Sequence, residues 1–110
     1  MKGYHQYKSC IESCLECAAI CQHCASSCLQ ETNVDMMRTC IQLDMECAVI
    51  CYNAAQLMSM GSTRAKEFCA LCASACEACA EECAKHDDQH CKECAEACRK
   101  CAEECRKMAA

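Results

Sequence analysis

Residues 91–105 read CKECAEACRKCAEEC, from Cys91 to Cys105. The cysteines Cys91, Cys94, Cys98, Cys101 and Cys105 step by three and four residues in strict alternation. Such steps average about 3.5 residues, the period of a heptad seam on a supercoiled helix. All five sulfurs therefore fall on one stripe. Glu93, Glu96, Arg99, Lys100, Glu103, Glu104 and Lys107 occupy the remaining surface, with Glu96–Lys100 and Glu103–Lys107 favourably ordered at i,i+4. This is an amphipathic helix whose inner face carries sulfur where Leu or Ile would be expected.

The same pattern recurs upstream. Cys69, Cys72, Cys76, Cys79 and Cys83 repeat it, and Cys10, Cys14, Cys17, Cys21, Cys24 and Cys28 extend it. Cys40, Cys47 and Cys51 keep the phase, with Asp44 filling one slot. The breaks between groups carry turn chemistry: Thr32–Asn33–Val34–Asp35, Gly61–Ser62–Thr63 and Asp87–Asp88. There is no proline, and Gly3 and Gly61 are the only glycines. Little in the chain would interrupt a helix, and β-branched and aromatic residues are too scarce for a sheet. Helices are expected at 5–30, 34–59, 63–86 and 88–108. Short links make neighbours antiparallel. The expected fold is all-α: one domain over 1–110, an antiparallel up-down-up-down four-helix bundle with a cysteine-lined core.

Nineteen cysteines in 110 residues dominate the chemistry. A disulfide scaffold is disfavoured on three grounds. The count is odd. The segment from Met1 to Ser9 is polar and shows no h-region of a signal peptide, which points to a reducing cytoplasm. Cysteines at i,i+4 on one helix also have near-parallel Cα–Cβ directions, poorly suited to a disulfide. Packing alone is a weak explanation, because cysteine buries less apolar area than Leu or Ile at about 25 cal/mol per Å². The larger residues are present, among them Leu15, Ile20, Leu29, Ile41, Leu43, Ile50 and Leu71, yet most lie off the seam. A formal charge of −5 with no basic stripe gives no footprint for nucleic acid. No apolar run approaches the roughly 20 residues of a membrane span.

Metal remains. All-thiolate sites suit soft ions: Cu(I), Zn(II) and iron–sulfur clusters. Zinc and iron–sulfur sites use isolated sets of about four ligands. Four thiolates on Zn(II) also leave net negative charge in a dry core. Cu(I) takes two or three thiolates, and bridging lets the ratio approach one ion per sulfur, which neutralises that charge. The CxxxC pairs Cys10–Cys14, Cys17–Cys21, Cys24–Cys28, Cys47–Cys51, Cys72–Cys76, Cys79–Cys83, Cys94–Cys98 and Cys101–Cys105 each set two sulfurs one turn apart, a clamp for one ion. The function expected is storage or sequestration of many Cu(I) ions by all nineteen thiols, for supply or detoxification. A helical, metallothionein-like zinc buffer, a thiol redox protein and an iron–sulfur carrier are the alternatives. No base, nucleophile pair or substrate cleft suggests an enzyme.

The CxxxC and CxxC ladders, the segment Cys40–Ile41–Gln42–Leu43–Asp44–Met45–Glu46–Cys47 and the turn His86–Asp87–Asp88–Gln89–His90–Cys91 resemble the four-helix-bundle copper storage proteins of bacteria. The chain looks most like the cytosolic branch, since the exported branch carries a signal peptide. The resemblance covers nearly the whole chain and implies a homotetramer that loads Cu(I) in each core. A copper chaperone or a low-molecular-weight thiol is the kind of donor or acceptor it would need. The chain departs from the uniform pattern at Asp44, a hard and poor ligand for Cu(I).

The remaining candidates cluster at the two ends. His86 continues the third seam three residues past Cys83, and His90 adjoins Cys91. Both belong at an open mouth with Cys28, Cys40 and Met36 or Met37. Position alone leaves them open between solvated turn histidines and ligands that pass Cu(I) inward; the resemblance favours the latter. Asp44 is expected at the wider, wetter mouth, supporting those sites. His5 and His23 fall off the seam. Met58 and Met108 belong with Tyr7 at the opposite, narrow end, as plugs of the core.

Overall fold

The computed structural model describes residues 3–110; the first two positions of the expected 1–110 domain lie outside the described residues. The chain forms α1 (Gly3–Gln6), α2 (Lys8–Leu29), a 3₁₀ turn (Val34–Met37), α3 (Arg38–Ser59), α4 (Ala65–Cys83) and α5 (Gln89–Ala109). α2 packs on α3 and α5, and α4 packs on the same two, while the backbones of the diagonal pairs stay more than 8 Å apart. The result is a rod of 48 × 20 × 18 Å. Sulfur pairs at both ends fix its directions. Cys10 meets Cys105 while Cys28 meets Cys91, so α2 and α5 are antiparallel. Cys40 meets Cys83 while Cys51 meets Cys72, so α3 and α4 are antiparallel too. The four long helices match the expected bundle.

The helix ends depart from expectation for local reasons. The first helix is broken at Tyr7, whose ψ of 14° leaves the α region, so a separate turn precedes the bundle. The second starts with a 3₁₀ turn, and Asp35 pairs with Arg38 at 2.8 Å instead of capping the helix. The third ends at Cys83, not 86: Lys85 N donates to Glu82 O and His86 N to Cys83 O, i→i+3 closures that tighten the last turn. On the surface Lys107 Nζ reaches Glu104 at 3.2 Å, one residue from the expected partner Glu103.

The core is built from small residues. All nineteen cysteines are buried, and Ala18, Ala48, Ala54, Ala73, Ala95 and Ala102 are buried beside them. Among the described residues, the only larger apolar side chains that are buried are Ile11, Met37 and Met58. Leu15, Leu29 and Leu71 are exposed, as expected of residues off the seam, and Ile20, Ile41, Leu43 and Ile50 pack against the core only from its edge. A core of cysteine and alanine gains less from burial than an aliphatic one. The metal-free bundle therefore has a thin hydrophobic margin.

The two ends of the rod differ in polarity. At one end Met58 is fully buried, and Tyr7, Phe68 and Met108 pack over the last sulfurs, the plug expected there. α1 folds onto this end: a Cβ on Gly3 would collide with the backbone of Met58 and Gly61. α3 stops here in a Schellman turn, with Ser62 N bonded to Leu57 O and Gly61 N to Met58 O, both at 3.0 Å. Gly61 sits at φ +66°, a region that disfavours a side chain. Gly61→Ala should therefore lower the stability of the metal-free protein by about 1 kcal/mol, read as a lower urea midpoint with an unchanged m-value.

Candidate metal centre

The thiols form two ladders that merge. Along α2 and α5, Sγ–Sγ distances are 3.7 Å for Cys14–Cys105, 3.6 Å for Cys14–Cys101, 3.7 Å for Cys17–Cys98 and 3.6 Å for Cys21–Cys98. Along α3 and α4 they are 3.5 Å for Cys40–Cys83, 3.6 Å for Cys47–Cys76 and 3.6 Å for Cys51–Cys72. Cys51 also reaches Cys101 at 4.0 Å across the diagonal. Within helices, the i,i+4 pairs Cys17–Cys21, Cys24–Cys28 and Cys72–Cys76 each lie at 4.0 Å. The heptad seam alone sets this spacing: it brings a seam position to the axis about once per turn of each helix.

These distances are contacts, not bonds. A disulfide needs about 2.05 Å, and every cysteine is free. Four-sulfur sets with all atoms within 4.8 Å of one another follow in sequence down the core: Cys24, Cys28, Cys40 and Cys91; then Cys21, Cys79, Cys94 and Cys98; then Cys17, Cys21, Cys47 and Cys98; then Cys14, Cys72, Cys101 and Cys105. Consecutive sets share members or neighbours, as a chain of bridged ions requires.

Asp44 lies one turn inside the level of Cys40 and is fully buried. The expected wet position is thus corrected: the slot it fills is on the seam, and the seam is dry. Its Oδ1 accepts from the thiols of Cys79 at 3.1 Å, Cys94 at 3.3 Å and Cys83 at 3.4 Å. Cys40 donates to Oδ2 at 3.9 Å. Burial, followed by negative charge on Cys94, raises the carboxyl from 3.8 to about 8. At neutral pH the Asp44 carboxyl is therefore mostly protonated, among the thiols of Cys79, Cys83 and Cys94.

The mouth lies where α2 ends and α5 begins. His90 Nδ1 faces three sulfurs: Cys91 at 3.5 Å, Cys24 at 3.6 Å and Cys28 at 3.9 Å. Burial, and then the charge of Cys40, raises the Cys28 thiol to about 12. An ion bound here must displace a proton that burial holds in place. Met37 is buried at this end, whereas Met36 points outward. His86 stands apart. Because α4 stops at Cys83, His86 leaves the seam, and its Nε2 lies 3.1 Å from Glu82 Oε2. His5 and His23 are exposed, in line with their off-seam positions.

The sequence model described as Csp, copper storage protein, matches residues 4–110. The chain belongs to the copper storage protein family. A cysteine-rich protein of Bacillus subtilis, YhjQ, is 52% identical over 80 residues, 73% of this chain and 74% of the relative. The Cu(I)-bound copper storage protein BsCsp3 superposes with a TM-score of 0.90 at 51% identity, covering 94% of this chain and 97% of its own. A cytosolic copper storage protein of Streptomyces lividans, described with five coppers, gives a TM-score of 0.92 at 37% identity, with coverage of 97% and 94%.

Two residues of this family member escaped sequence reasoning. Glu31 Oε2 lies 2.8 Å from His90 Nε2, and Asp88 Oδ2 lies 3.7 Å from the same atom. Glu31 follows the last cysteine of α2 in an ordinary polar turn, and only the fold carries it to a residue 59 positions away. Asp88 was legible as a helix start, but its side chain makes no capping hydrogen bond.

Asp44 gives this copper storage protein a distinctive pH response when metal-free. Its folded-state value of about 8 lies above the ordinary 3.8. Its stabilising contribution is complete below the lower value and is lost as pH rises through the higher one. The slope between them is up to about 1.4 kcal/mol per pH unit. Asp44→Asn should flatten that slope in anaerobic urea unfolding of the apo protein between about pH 5 and pH 8.

Proposed function

We propose that this chain is a cytosolic store of Cu(I), with residues 1–110 acting as one copper-binding unit and the nineteen core cysteines as its ligands. One observation carries the reading: all nineteen cysteines are buried and free, and their sulfurs crowd into four-membered sets along a single axis. No structural need explains so much sulfur, and a store that grows by bridging uses all of it. Thiol deprotonation balances each arriving positive charge, so the filled core stays near neutral. The likeness to a Cu(I)-bound relative, and to a Streptomyces lividans protein loaded with 10 copper equivalents, supports the same assignment. The family's role is storage, and the chain is read as non-catalytic.

His90 is the ligand that receives Cu(I) at the mouth, passing it to Cys24, Cys28 and Cys91. His86, beside Glu82, is an outer contact for the incoming donor. Asp44 supports the second level of sites, where its protonated carboxyl can release its own proton and, once ionised, accept one from a neighbouring thiol during filling. The Streptomyces relative described as cytosolic supports the location, and no helix of the described residues is long and apolar enough to cross a membrane. Exchange with a copper chaperone or a low-molecular-weight thiol supplies and empties the store.

The assembly is read as a homotetramer. Leu15 on α2 and Met45, Val49 and Tyr52 on α3 are exposed apolar side chains on neighbouring helices, and Gln22 Nε2 donates to Tyr52 Oη between them. Apolar surface of this kind calls for a partner, and a second copy supplies it.

Anaerobic Cu(I) titration followed by metal and thiol analysis should give about a dozen or more Cu(I) per chain, with Zn(II) bound in far smaller number. Comparable zinc loading, or abundant disulfides after anaerobic purification, would count against storage of copper. Sedimentation should give a tetramer that Val49→Glu dissociates; an unchanged assembly would remove the α2–α3 face from the interface.

A further inference from the structure

The imidazole of His90 is held from both sides. On its inner side, Nδ1 lies 3.5 Å from Cys91 Sγ, 3.6 Å from Cys24 Sγ and 3.9 Å from Cys28 Sγ. On its outer side, Nε2 lies 2.8 Å from Glu31 Oε2. A carboxylate only accepts hydrogen bonds, so the proton on this ring belongs on Nε2. In the neutral ring the lone pair is then on Nδ1, the nitrogen that faces the sulfurs. Those sulfurs, with Cys40, form a set in which all four atoms lie within 4.8 Å of one another.

The placement of Glu31 is itself fixed by the site. Its backbone N–H donates to Cys28 O at 3.2 Å, in the turn that ends α2. One tight turn thus carries both a thiol of the mouth and the carboxylate that faces its histidine. Asp88 Oδ2 approaches Nε2 at 3.7 Å, too far for a hydrogen bond, and is buried without a hydrogen-bond partner. It adds negative charge on the same side without competing for the proton. Between them, the end of α2 and the start of α5 fix the ring's tautomer and its direction.

We propose that Glu31 is a positioning residue for Cu(I) uptake: it holds the Nε2–H tautomer of His90 and aims the Nδ1 lone pair into the Cys24–Cys28–Cys91 thiol pocket. In that tautomer the Nδ1 lone pair is open to a soft cation, beside thiols that must each lose a proton to bind it. Outer partners of this kind are worth about 10- to 100-fold in metal affinity elsewhere. The inference rests on the reading of His90 as the ligand at the mouth.

Three variants of the full-length protein test it: Glu31→Ala, Glu31→Gln and His90→Ala. Each is assayed anaerobically for uptake of the first equivalents of Cu(I) from bicinchoninate. Nitrogen-15 spectra of the His90 ring are recorded for the metal-free forms that retain it. Expected is a Nε2–H, Nδ1-unprotonated ring in the parent and in Glu31→Gln, whose amide oxygen still accepts. Glu31→Ala should lose that single state and fall about tenfold in first-equivalent affinity, with Glu31→Gln restoring most of it. Unchanged uptake in Glu31→Ala while His90→Ala is impaired overturns the role of Glu31 and leaves that of His90 standing. A loss of uptake in Glu31→Ala with an unaltered ring spectrum also overturns it. Unchanged uptake in His90→Ala removes the histidine from the mouth, and this inference with it.

Discussion

The bundle depends on sulfur placed against sulfur without water. A thiol is small, weakly polar and content in an apolar core, so nineteen of them can be buried without the desolvation cost that carboxylates or imidazoles would carry. Once there, they sit within 4 Å of one another at many points. The same burial makes ionisation costly until a cation arrives. A core receiving soft cations would exchange thiol protons for them. Fold and cargo use the same side chains: the residues that hold the helices together are those that would hold the metal. This accounts for the alanines between them, which let the helices approach until the sulfurs touch.

Asp44 shows how strongly that environment acts on anything placed in it. In water its carboxyl would be ionised at neutral pH. On the seam it accepts from three thiols and keeps its proton to about pH 8. A buried carboxylate needs a partner or a raised pKa, and Asp44 has both in place of the wetter position expected of it. Protonation is the cheaper solution, because the position is dictated by the heptad and cannot migrate to solvent.

Much of the architecture was legible because one signal, the three-four step of cysteine, reports helix, register and core together. Cys91 to Cys105 alone fixed the helix type, and its recurrence gave four helices and their inward faces. Helix ends were less legible. Tyr7 breaks the first helix through its own backbone angles, and α4 stops at Cys83 through i→i+3 closures, neither of which has a mark in composition. That early stop separates His86 from His90, which the spacing had treated alike. Glu31 was invisible for a different reason: its meaning depends on a contact between two helix ends far apart in sequence, which local pattern cannot see.

The plugged end has a temporal consequence. Met58, Tyr7, Phe68 and Met108 pack in or against the core at one end of the rod, while imidazole and carboxylate flank the other. In a store served only through the His90 end, ions held there would exchange first, and those beside Cys10 would turn over most slowly. The protein would then contain a quick reserve and a deep reserve along one axis, divided by depth and not by ligand type.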